Sequence, residues 1–199
     1  MYKSWVKTAV GVLFMVLLSQ PVAQANSSLS KRFYVGVGIS NTTLNINEAN
    51  AMAKFPGNDE IFVGEDAVSL ELLLGFKLDE YLSIEMGFVD LGTVTARNGV
   101  LTNKLLDVSS VFLDTSLEAK MSERVSLFGK IGVSLWNATY GSSYDSYEDG
   151  TGVVYGVGVD LNLYGGDERK LRFEWKRHDF DELFLEKADS VSMMLMINF

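Results

Sequence analysis

His178 is the only histidine in the chain, and Asp179 and Asp181 follow it closely. An imidazole beside carboxylates is raw material for general acid–base catalysis, and with a serine or aspartate in reach it could serve as a general base. That chemistry needs a nucleophile and an orienting acid in defined geometry, and no second motif supplies either. The default reading of His178 is therefore a solvated histidine beside aspartates. The sequence has no cysteine, which removes disulfides, thiolate metal sites and a cysteine nucleophile together. Asp145, Asp149 and Gly150 loosely follow a calcium loop, but Tyr147 and Gly156 stand where oxygen ligands belong. Gly36/Gly38 and Gly156/Gly158 contain GxG without opening a helix, so no phosphate loop is assigned. No catalytic, cofactor-binding or metal set emerges, and no cofactor is expected.

A different set of reactive groups does recur, at every second position. It comprises Glu71, Lys77, Glu85, Asp114, Glu118, Lys130, Asp160, Arg172, Glu174 and Lys176, mixed in sign and interspersed with glycine and serine. Period-two placement requires strands, whose successive side chains point to opposite faces. Eight such segments follow one another: 33–40, 68–78, 82–88, 110–118, 125–135, 153–162, 170–176 and 191–199. Val125, Leu127, Ile131, Val133 and Leu135 face away from Ser126, Lys130, Gly132 and Ser134, and the other segments alternate likewise.

The connections alternate between short and long. Asp79-Glu80, Met121 to Arg124 and Gly165 to Glu168 read as turns; 41–67, 90–107, 137–152 and 178–189 read as long polar loops, the first long enough to hide a further hairpin. Short turns at one rim and long loops at the other are the pattern of an outer-membrane barrel, with both termini in the periplasm. A soluble barrel around an apolar ligand would alternate too. The polar face decides against it: glycines weaken strands, and small residues beside oppositely charged long ones suit a narrow lumen where each charge needs a partner. The expected fold is all-β, an eight-stranded antiparallel up-and-down transmembrane barrel. Phe33, Tyr81, Tyr164, Trp175 and Phe199 lie near strand ends, where interfacial aromatics sit.

The two ends add localisation. Lys3 and Lys7, the apolar run 10–18 and Ala23-Gln24-Ala25 form a secretory signal pattern, giving a signal peptide at 1–25 and a barrel domain at 26–199. Without that signal the chain keeps 15 basic and 26 acidic residues, a formal charge of −11. Such an acidic chain, lacking a basic aromatic patch, is not expected to bind nucleic acid. Val191, Met193, Leu195, Ile197 and Phe199 resemble a C-terminal barrel-insertion signal. The expected address is the Gram-negative outer membrane.

Residues 33–38, 81–92, 124–132 and 154–159 resemble the OmpA-like, or outer-membrane β-barrel domain, family over essentially all of the chain after the signal. The resemblance implies the barrel more strongly than a job. With the chain ending at Phe199, no periplasmic peptidoglycan-binding domain is expected, so the resemblance does not imply tethering to the cell wall. The expectation is a structural or surface-interaction barrel, not an enzyme. Its alternatives are a narrow OmpW-like barrel passing small hydrophobic compounds, or an enzyme at the rim. Expected partners are outer-membrane lipid and lipopolysaccharide, the insertion machinery, and extracellular ligands reached through loops.

Overall fold

The computed structural model describes residues 32–54, 60–63, 67–98, 101–140, 147–163, 168–181 and 185–199. The signal pattern, Asp145, Tyr164 and Gly165 lie outside them. The elements are β1 (Phe33–Ile46), α1 (Glu48–Lys54), β2 (Glu60–Val63), β3 (Ala67–Lys77), β4 (Leu82–Asn98), β5 (Leu101–Lys120), β6 (Val125–Tyr140), β7 (Tyr147–Asn162), β8 (Arg169–Phe180) and β9 (Leu185–Asn198).

Every long strand pairs antiparallel with its neighbours, β1 pairs with both β3 and β9, and the β4–β5 pairing closes the ring of eight. The ninth, β2, adds to the upper end of β4 from within the first long connection. Registers fix the geometry. Stepping from Tyr34 through its partners Gly75, Glu85, Asp114, Gly132, Val154, His178 and Ala188 returns to β1 at Leu44, ten residues above the start. A stagger of ten over eight strands corresponds to a tilt of ~40°, within the range of such barrels and narrow enough for side chains to fill.

The turns at the terminus-bearing rim are made by side chains as well as backbone. Asp79 Oδ1 accepts the N–H groups of Tyr81 and Leu82, both at 2.7 Å. Those two donors hold the exposed carboxyl below the usual carboxylate range. Ser122 Oγ does the same for Arg124 and Val125 at 3.3 and 3.1 Å. Such local bonds offer a turn what a ladder offers a strand. By the short-turn rule this rim is periplasmic.

At the opposite rim the strands continue where loops were expected. β4 and β5 run through most of 90–107, β6 and β7 extend to Tyr140 and back from Tyr147, and β8 and β9 leave only 181–184 between them. β5, with 20 residues, rises ~50 Å along the axis at that tilt, about twice the ~25 Å apolar band. The protruding part had been read as loop because its polarity is reversed. On β6, Ile131, Val133 and Leu135 are exposed outward, but beyond them Asn137 and Thr139 take the outward places while Trp136 and Ala138 are buried. On β5, outward Leu117 and Leu113 give way to Ser109 and Asp107, and inward Asp114 gives way to buried Val108 and Leu106. β1, β8 and β9 switch at Asn41, Arg177 and Asp189. Below the switch the outside meets lipid and the inside holds the charged residues together with Leu73, Phe112, Phe128, Met194 and Met196; above it the outside meets water and the inside is an apolar core.

That upper core gathers Leu44, Val94, Ala96, Leu106, Val108, Leu185 and Ala188, with Ala51 of α1 buried against them. Asn47 caps α1 by accepting the Asn50 N–H. A β-bulge helps β4 into the core. Its register shifts between Asp90 and Gly92, Gly92 takes a φ of 106°, and Asp90 Oδ1 accepts the Gly92 N–H at 3.0 Å. The bulge, whose left-handed residue favours glycine, turns the inward set from odd positions (Glu85, Val89, Leu91) to even ones (Val94, Ala96).

Candidate functional site

The lumen of the lower half is where the charged residues meet. Glu71 of β3, Glu85 of β4, Asp114 of β5, Lys130 of β6, Asp160 of β7, and Arg172, Glu174 and Lys176 of β8 are all buried. Arg172 anchors the periplasmic end: its Nε and Nη2 donate to Asp160 at 2.8 and 3.0 Å, and its Nη1 donates to Glu85 Oε1 at 2.7 Å. Lys130 Nζ lies 2.7 Å from Glu174 and 3.4 Å from both Glu85 and Asp114. Lys176 completes the chain by pairing with Glu71 and, at 3.4 Å, with Glu174. Five carboxylates thus stand against three cations, so the layer is formally negative.

Two groups join this arrangement without having been singled out from sequence. Tyr34 donates to Glu85 Oε1 at 2.5 Å; Lys170 pairs with Glu118 at 3.0 Å near the periplasmic mouth. Lys170 shares the parity of Arg172, which was the signal for it. Tyr34 was masked by reading its face as one of small residues. Lys77 stands apart from the central group, its Nζ 6.0 Å from the Tyr34 ring centre.

The lumen glycines are seats for large side chains. Tyr34 is the register partner of Gly75, Phe112 of Gly87, Phe128 of Gly158 and Trp136 of Gly150. A Cβ at any of these four would collide with the facing ring. The rings in turn cover cations: the Arg172 guanidinium lies 4.1 Å from the centre of Phe128 and Lys176 Nζ 4.0 Å from that of Phe112.

His178 corrects its expected reading. It faces inward and is fully buried, not solvated, because β8 continues to Phe180 and the rings of Phe180 and of Phe112 on β5 close over it. The imidazole stacks on Phe180 with centroids 6.5 Å apart and meets Phe112 edge-on at 5.9 Å; Phe180 meets Trp136 edge-on at 5.8 Å. Neither ring nitrogen makes a hydrogen bond. Among the described residues no serine, aspartate or glutamate is hydrogen-bonded to it. This aromatic stack separates the charged layer from the apolar core above. Among the described residues no group of three or more His, Cys, Asp or Glu is arranged to hold a metal ion. A cavity of about 20 Å³ opens at the periplasmic mouth between Tyr34, Lys77, Glu118 and Lys170, room for about one water.

The outer surface below the polarity switch is a band of exposed apolar side chains, among them Val37, Ile39, Leu113, Ile131, Val157 and Met193. Phe33, Tyr81 and Phe199 are exposed at its periplasmic edge. At its upper edge Trp175 meets Tyr155 edge-on at 6.2 Å and carries Arg177, which binds Asp189 through Nε and Nη2 at 2.7 and 3.0 Å.

Solved structures share this architecture. Neisserial surface protein A superposes with a TM-score of 0.61 at 11% identity, over 84% of this chain and 97% of that one. OprG of Pseudomonas aeruginosa gives 0.54 at 14%, over 85% and 94%. Ail of Yersinia pestis, in complex with the heparin analogue sucrose octasulfate, gives 0.51 at 14%, over 84% and 96%. No curated protein sequence matches the chain. The sequence model of the outer membrane protein β-barrel domain matches residues 10–199. With its closed eight-stranded ring and lipid-facing band, the chain belongs to the outer-membrane β-barrel domain family and is a protein of the Gram-negative outer membrane.

Proposed function

We propose that the protein is a sealed structural barrel that holds a folded extension above the outer membrane as a surface for interaction. The observation that carries this reading is the filling of the lumen: ion pairs in the lower half, the aromatic stack above them, then an apolar core. A conduit needs a wet path, whereas here charged side chains from six strands are spent on one another. The same filling rigidifies the wall, as a support for the extension requires. Lipopolysaccharide surrounds that extension in the outer leaflet. Its described outward residues include Glu60, Asp107, Asp149, Asp179 and Asp189, and carboxylates outnumber cations. This charge favours basic partners or divalent cations shared with lipid phosphates, and disfavours the sulfated ligand class seen with Ail. Val191, Met193, Leu195, Ile197 and Phe199 on β9 serve as the signal to the insertion machinery.

The test is planar-bilayer recording of the refolded protein at neutral pH. The proposal expects no steady conductance; a large, stable open state would overturn it.

A second reading, passage of small hydrophobic compounds, is favoured by one observation. The β3–β4 ladder ends at Glu71–Val89, and above it Ser69 Oγ donates to the Asp90 carbonyl at 2.7 Å beside buried Val89 and Leu91. That seam lies at the upper edge of the lipid band, next to the apolar core. Uptake of an apolar solute that depends on the protein, and that a cross-link between β3 and β4 abolishes, would support it over the sealed-support reading.

A further inference from the structure

His178 is the one ionisable group in the stack that seals the charged layer, and among the described residues no group accepts a hydrogen bond from it. Both nitrogens are buried without a hydrogen bond. Its register partners are Val154 on β7 and Ala188 on β9. β5 presents Phe112 to it, with Asp114 two residues deeper on the same face. On its own strand the next inward residue is Lys176, whose ammonium lies 4.0 Å from the centre of the same Phe112 ring. On β6 the inward residues are Trp136, Ser134 and, deeper, Lys130, whose Nζ is 5.3 Å from the Phe112 centre. The carboxylates that face this region, Asp114, Glu174 and Glu71, are the ones already engaged by those two lysines.

A neutral imidazole is therefore an aromatic filler between Phe112 and Phe180. An imidazolium would be a third cation beside two ammoniums, without an acceptor in a site closed to water. Water and the carboxylates of Asp179 and Asp181 lie only a step outward along the chain.

We propose that His178 is an acid-operated latch on the lumen: protonation expels its ring from the stack toward the extracellular rim and breaks the seal over the charged layer. This rests on the sealed-barrel reading. With the ring displaced, Phe112 loses its edge contact, and the lumen becomes continuous from the ion-pair layer to the upper core. The formal excess of carboxylates in that layer makes cations the preferred permeant species.

The experiment is bilayer recording of the refolded full-length protein between pH 8 and pH 4.5, with His178→Phe and His178→Gln beside the wild type. A heat-dependent gel-mobility shift first confirms that each preparation is folded. The expected result is a wild type silent at neutral pH whose open time rises at least tenfold in acid, with both variants remaining silent. An acid response of equal size in either folded variant assigns the effect to the carboxylates and overturns the latch, as does a wild type silent at every pH. Steady wild-type conductance already at neutral pH would instead overturn the sealed-barrel reading, and the latch with it.

Discussion

Lys130 is the residue on which most of the buried charge depends, and Lys130→Met is the sharpest perturbation of the lumen. Its ammonium serves Glu174 at 2.7 Å and Glu85 and Asp114 at 3.4 Å, all with side chains fully shielded from solvent. At an effective dielectric constant of ~20 each contact is worth ~5–6 kcal/mol of gross Coulomb attraction. Much of that offsets desolvation of the four ions. What remains after methionine fills the space is the cost of carboxylates left behind, of which Arg172 and Lys176 can satisfy only part. Removing one partner from a buried ion pair typically costs about 3–5 kcal/mol. The expected loss for Lys130→Met is of that size, read from denaturant unfolding of the barrel in lipid vesicles by the heat-shifted gel band and tryptophan fluorescence. The triple variant Lys130→Met/Asp114→Asn/Glu174→Gln, which removes the stranded charge with the ammonium, should recover most of the loss. A change below about 1 kcal/mol for the single variant would refute the reasoning, because exposed pairs in water are worth no more than that.

Gly75→Ala should cost about 1–3 kcal/mol by forcing the Tyr34 ring off its seat and away from Glu85. Gly129→Ala, outward-facing with its nearest neighbour 4.0 Å from the added carbon, should leave the unfolding midpoint unchanged. Ile131→Arg, in the middle of the lipid band, should destabilise the vesicle-inserted barrel by ~2–4 kcal/mol, whereas Asn137→Arg on the same strand above the switch should be close to neutral. Equal effects of the two would contradict the assigned boundary. For Asp79, whose carboxyl is held below the usual range by the Tyr81 and Leu82 N–H groups, the native state binds its proton less readily than the unfolded chain. Its contribution is therefore present above the ordinary carboxylate range and lost as pH falls through the lowered value. Asp79→Asn should flatten the acid limb of the stability–pH curve relative to wild type, and an unchanged limb would count against the turn.

The lipid-spanning half was readable because one rule governs it: apolar outward and polar or small inward at every second residue. That rule placed Glu85, Lys130 and Arg172 on one inward surface and gave the short turns at Asp79 and Ser122. It failed above the membrane for a physical reason. There the solvent outside changes from lipid to water, so the same pleat carries Asn137 and Thr139 outward and Trp136 and Ala138 inward, and a search for the lower pattern sees only polar loop. The Asp90–Gly92 bulge compounds the failure by switching the inward parity of β4. The pairing of glycines with rings was visible only in part, because it depends on cross-strand register: Gly75 and Tyr34 are 41 positions apart. His178 was misread for the same reason. Its flanking aspartates suggest water, while the rings that bury it come from another strand and from a position beyond the expected end of its own.

The most direct test of the whole arrangement is a cysteine scan along β6, feasible because the chain has no native cysteine. Single cysteines at 127, 131, 133, 135, 137 and 139 sample the outward face, and 130, 134, 136 and 138 the inward one. In vesicles, labels at 127 to 135 on the outward face should report lipid contact, those at 137 and 139 should react with a membrane-impermeant thiol reagent, and the inward four should do neither. Reaction of the inward positions with the aqueous reagent, or lipid contact continuing through 139, would contradict a sealed lumen within a barrel whose two faces exchange polarity at the membrane surface.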